Sequence, residues 1–114
     1  MAIESYRKLI IWQKSFALVK DVHALTAELP RDEQFSLTSQ MRRCAISIPS
    51  NIAEGQQRNN VKEYRQFLGI ARGSAAELST QLLLVRDLYQ KDLDALLDEV
   101  ESIQKMLYAL LKKL

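Results

Sequence analysis

The side chains with most chemical potential in this 114-residue sequence lie near its centre. Gln40, Arg43, Ser47, Asn51 and Glu54 recur at steps of three and four, so on a helix they share one face. Ser74, Glu77 and Gln81 repeat the pattern further on. The carboxylates Glu54 and Glu77 could serve as a metal-binding or acid–base pair. A carboxylate-bridged di-metal bundle, however, takes Glu-x-x-His pairs from its helices. The one histidine, His23, has no such spacing to any glutamate of the two segments. The reading that suits these residue types is a network of arginine, carboxylate and amide groups. Gln40, Arg43, Ser47, Asn51, Glu54, Ser74 and Glu77 would pin two helices in register or line a seam between subunits.

A second constellation is basic. Arg42, Arg43, Arg58, Lys62, Arg65 and Arg72 face only Glu54 and Glu63 within the same span, whereas residues 87–101 hold six acids and Lys91 alone. Such a cluster suits contact with nucleic-acid phosphates, which is electrostatic and indifferent to sequence. It equally suits a solvated helical face with ion pairs of its own, or packing against an acidic neighbour. Tyr64 and Phe67 lie in or beside the apolar stripes, so no stacking platform for single strands is evident. The formal net charge, +2, does not by itself announce a nucleic-acid binder. Cys44 is the sole cysteine, which excludes an intramolecular disulfide or a cysteine metal cluster. No histidine is near it in sequence, and it falls within an apolar stripe, so it reads as a small core residue. His23 reads as a packing residue at the edge of its helix's apolar face. No cofactor motif is present: Gly69 and Gly73 fall mid-helix, not at the strand-to-helix turn of a phosphate loop.

The elements that position these groups are helices. Three glycines and two prolines are too few for the turns of a sheet protein. Ile11, Leu18, Val22, Leu25 and Leu29, beside Trp12, Phe16 and Val19, make one broad apolar face ending before Pro30. Residues 1–9 read as a frayed lead-in or short extension of this helix. Phe35 is expected to tuck onto the core and Ser36 to cap the second helix. That helix carries Leu37, Met41, Cys44, Ile48 and Ile52. Pro49 falls inside it, and because the stripe keeps its phase, one kinked helix is expected, with Gly55 as its stop. Asn60, with Glu63 three residues on, opens the third. Tyr64, Leu68, Ala71, Ala75, Leu78, Leu82, Val85 and Tyr89 then alternate steps of four and three, the signature of left-handed bundle packing. Gly69, Gly73 and the alanines would let another backbone approach closely. Asp92 would cap the fourth helix, striped by Leu93, Leu96, Val100, Ile103, Leu107, Leu110 and Leu114.

Residues 1–114 therefore read as one all-α domain, an up-and-down four-helix bundle with a kinked second helix. Leu97, Met106, Tyr108, Leu111 and much of residues 82–85 exceed what one core covers, which points to a subunit interface. No segment has the roughly 20 apolar residues of a membrane span, and the start has too short an apolar run for a secretory signal, so a soluble, cytoplasmic protein is expected.

LIIWQKSFALV, LPRDEQFSLTSQMRRCAISIPSNIAEGQQR and YRQFLGIARGSAAELSTQL, in this order, resemble the 23S ribosomal RNA intervening-sequence proteins. SIPSNIAEG and GSAAEL are the most specific pieces. The resemblance implies a small bacterial four-helix bundle, with family members that form ring-like homopentamers, and it supplies no catalytic residue. The family is also similar to the accessory protein of diversity-generating retroelements, a basic pentameric barrel that engages nucleic acid and a reverse transcriptase. The expected function is thus non-enzymatic: a homo-oligomeric adaptor associated with RNA or ribonucleoprotein, or alternatively a structural, protein-interaction module without nucleic acid.

Overall fold

A computed structural model describes residues 5–114, and its described residues form four α-helices. They are α1 (Ile10–Ala27), α2 (Leu37–Gln56), α3 (Val61–Tyr89) and α4 (Asp94–Lys113). Each helix packs on its two neighbours in the cyclic order α1–α2–α3–α4, the up-and-down arrangement, and the rod is 44 Å long. Short 3₁₀ turns at Ser5–Lys8 and Arg31–Glu33 precede α1 and link it to α2. The expected lead-in reaches residues 1–4, which lie outside the described residues.

The core is built from the predicted stripes. Leu18 and Val22 of α1, Met41, Ile48 and Ile52 of α2, Leu68, Leu78, Leu82 and Val85 of α3, and Val100, Ile103 and Leu107 of α4 are all fully buried. Each contributes on the order of 1.5–3 kcal/mol by leaving water. Where α2 and α3 meet, Ala45, Ala71 and Ala75 are buried, and their small side chains allow the helices to come close.

Helix α2 runs unbroken through Pro49, as the phase of its stripe requires. Proline lacks the N–H that would bond the Ala45 carbonyl, yet Pro49 is buried. Two residues on, the Asn51 amide donates to the Ser47 carbonyl at 2.8 Å, adding a side-chain bond to the ladder beside the proline. Asn60 caps α3, its side chain accepting from the Glu63 N–H at 2.8 Å. Asp92 accepts from the Asp94 N–H at the start of α4.

Four local expectations are corrected. Ser36 does not cap α2: its hydroxyl donates to Glu33 at 2.6 Å. That bond, with one from the Tyr89 hydroxyl, holds the Glu33 carboxyl below its usual range. Phe35 is 87% exposed, because the tight turn ahead of α2 points it outward. Gly55 is not the stop, since α2 continues to Gln56. Its hydrogen is required by packing instead: a Cβ there would sit 2.8 Å from Cβ of Phe67 on α3. Gly69 and Gly73, by contrast, have open space around them, so no backbone of this chain approaches there.

Candidate functional site

Of the residues expected to form a polar network, the structure brings Ser47, Asn51 and Ser74 together and leaves the outer ones apart. On α2 and α3 the hydroxyls of Ser47 and Ser74 hydrogen bond at 2.8 Å, and Asn51 Nδ2 reaches Ser47 Oγ at 2.9 Å. These half-buried groups sit where four- and three-residue spacing turns both helices toward each other. One turn away, Gln81 Nε2 lies 3.6 Å from Cys44 Sγ and 3.5 Å from Glu77 Oε2, both long contacts. Gln81 Oε1 is buried without a partner. Burial, with Glu77 beside it, pushes the Cys44 thiol up to about 11, so it is no thiolate nucleophile at neutral pH. The outer members do not join. Glu54 turns to Arg58 at 2.6 Å, and the side chains of Gln40 and Arg43 are exposed without a hydrogen bond or ion pair among the described residues.

The six basic residues do not converge. Arg42 crosses to α1, donating to Thr26 Oγ1 at 2.8 Å. Arg65 crosses the other way, donating to the Leu111 carbonyl near the end of α4 at 2.6 Å, and Arg72 lies over the Tyr108 ring at 5.1 Å. The α1–α2 and α3–α4 edges are opposite sides of the bundle, so these arginines are kept apart. Arg58 pairs with Glu54 and covers the Phe67 ring. Lys62 and Arg43 remain exposed and unpaired among the described residues.

Other candidate chemistry is equally dispersed. His23 is exposed on α1, its Nδ1 3.1 Å from the Val19 carbonyl. Among the described residues no three His, Cys, Asp or Glu side chains could hold a metal ion, and no helix is long and apolar enough to cross a membrane.

One feature escaped the sequence reading. Trp12, Phe16 and Val19 of α1 and Ile46 and Pro49 of α2 line an open apolar groove of about 320 Å³. Phe16 and Ile46 are nearly half exposed. Aromatic contacts hold its α1 wall: Trp12 packs on Phe16 at 4.9 Å and on Tyr6 at 5.4 Å, and Lys20 Nζ sits 5.0 Å over Phe16. The signal was present as two adjacent apolar stripes on α1, a face wider than a single core absorbs.

A sequence model of the 23S rRNA-intervening sequence protein family matches residues 7–109. The chain belongs to this family. Among solved structures it is similar to a protein of unknown function from the S23 ribosomal protein family of Bacteroides thetaiotaomicron. That match has 21% sequence identity, a TM-score of 0.83, and covers 90% of this chain and 99% of the other. At this identity the likeness shows a shared fold. No curated protein matches the chain.

Proposed function

We propose that this protein is a non-enzymatic, self-assembling bundle, a homo-oligomeric adaptor and not a catalyst. The observation that supports it is uncovered apolar surface outside the core. Ile70, Leu83, Leu84 and Leu88 of α3 are 39–61% exposed, while Phe16 and Ile46 flank the open groove between α1 and α2. Exposed apolar surface of this kind suits an interaction site. Native mass spectrometry and light scattering test it. The expected result is a single species at an integral multiple of 13.1 kDa, five-fold for a pentameric ring. A monomer at micromolar concentration would rule the reading out.

RNA association is a second reading, supported by the family's description and by Arg43 and Lys62, exposed cations without an acid partner among the described residues. Phosphate contacts would show as salt-dependent binding, weakened and with a flatter salt slope in an Arg43→Ala, Lys62→Ala variant. An oligomer that binds no RNA at low salt would leave a protein-only assembly module.

A further inference from the structure

We propose that the basic end of the bundle docks on an anionic phospholipid surface, where the groove between the start of α1 and the end of α4 takes up apolar chain. The patch is separate from the exposed residues of α3 and of the α1–α2 groove that support self-assembly.

The up-and-down topology gathers charges that the sequence scatters. Ser5, ahead of α1, bonds Gln56 at the end of α2 at 2.9 Å, and Arg65 near the start of α3 reaches the Leu111 carbonyl near the end of α4. One end of the rod therefore holds residues 5–10, 54–65 and 107–114, with seven lysines and arginines against Glu54 and Glu63. The opposite end, where Lys91 pairs with Glu28 at 3.0 Å, holds residues 24–36 and 85–95, with six acids against three cations. A net charge of +2 thus conceals a dipolar rod. Arg58 and Arg65 are held by Glu54 and Leu111, whereas Lys8, Lys62 and Lys113 have no hydrogen bond or ion pair among the described residues.

Aliphatic surface lies among these cations. An open groove of about 430 Å³ is lined by Ile10 of α1 and Met106, Ala109 and Leu110 of α4, together with Lys8 and Lys113. No carboxylate lines it among the described residues, and Glu101, the last acid of α4, is paired with Lys105 at 3.4 Å. Ile10 and Val61, at the same end, are more than half exposed. Nucleic-acid phosphates need cations alone, and bases stack on aromatic rings. An anionic bilayer attracts cations and takes aliphatic side chains into its interface at the same place, which is the combination this end offers. The acidic end is repelled from such a surface, so the rod meets it basic end first.

Co-sedimentation with phosphatidylcholine vesicles, with and without phosphatidylglycerol, tests the docking. The protein should bind the anionic vesicles only, and added salt should release it. Lys8→Gln with Lys113→Gln should weaken binding about 25-fold, roughly five-fold per cation. Arg86→Gln with Lys91→Gln makes the same change of net charge at the acidic end and should leave binding unchanged. Ile10→Asn should weaken vesicle binding several-fold without changing the solution mass. Lys8, Ile10 and Lys113 are exposed, so these variants are expected to keep their fold by circular dichroism. No binding to anionic vesicles at low salt would overturn the proposal, and an equal loss in the two double variants would overturn the basic end as the contact. Binding unaffected by Ile10→Asn would overturn the part given to the groove. Binding of an RNA oligonucleotide without binding of vesicles would replace lipid by nucleic acid as the occupant. A monomeric wild type that still binds anionic vesicles would overturn the self-assembly reading and support this one.

Discussion

The hydroxyls of Ser47 and Ser74 stand 2.8 Å apart and tie α2 to α3 at the middle of their contact. Ser47 also accepts from Asn51 Nδ2, so it is the hub of this small network and Ser74 a single spoke. Half-buried hydrogen bonds of this kind contribute about 1 kcal/mol each. Ser74→Ala should therefore cost about 1 kcal/mol in urea denaturation, and Ser47→Ala more, because the Asn51 amide loses a partner too. Equal stability of both variants with wild type would show that the pair contributes nothing.

Gly55→Ala should destabilise the fold although alanine is the better helix former. The propensity gain is about 1 kcal/mol. Against it, the new Cβ lies 2.8 Å from Phe67 Cβ and 3.1 Å from Tyr64 Cδ1, and overpacking of this sort costs about 1–3 kcal/mol. Phe67 Cβ is fixed to the backbone of α3 and cannot swing away, so the clash should win. Gly69→Ala, where nothing lies within 4 Å, is the matched control and should raise the melting temperature.

Cys44 should behave as a core residue. With its thiol pushed up to about 11 and its side chain buried, the native protein at pH 8 should resist a thiol-reactive dye for hours and take one equivalent on unfolding. Rapid stoichiometric labelling of the folded protein would contradict this placement.

Glu99 sets a pH dependence at the α1–α4 contact. Partial burial pushes its carboxyl up to about 7, and a hydrogen bond with Asp21 and that residue's charge add to the shift. Lys14 lines the same cleft. The folded state thus holds this proton more tightly than the unfolded chain, whose value is near 4.5. The stabilising contribution is full below about 4.5 and is lost as pH rises through about 7. Glu99→Gln, neutral at every pH, should flatten the loss of melting temperature between pH 5 and 8. An unchanged pH profile in that variant would remove Glu99 as its source.

Much of this architecture was written along the chain. Steps of three and four located all four helices, and the unbroken phase from Met41 to Ile52 carried α2 through a proline that would otherwise argue for a stop. Asn60 announced the start of α3 because an amide side chain and a free backbone N–H three residues on need only local geometry. Such features depend on the backbone of one helix, which a sequence specifies directly. The pairing of Ser47 with Ser74 was legible as a shared face, though not as a bond.

What the sequence could not decide is which face meets which neighbour. Six basic residues crowd 31 positions, yet Arg42 is drawn to Thr26 on one edge and Arg65 to Leu111 on the opposite one, because rotation about each helix axis sends them to different partners. Phe35 and Phe16 are as apolar as any core residue, and only packing left them outside. Gly55 looks like a helix stop until Phe67, twelve residues on, is seen pressed against it. Periodicity determined the helices and their stripes. The close approach of α2 to α3, and the groove left open between α1 and α2, were decided by how four such stripes share one core.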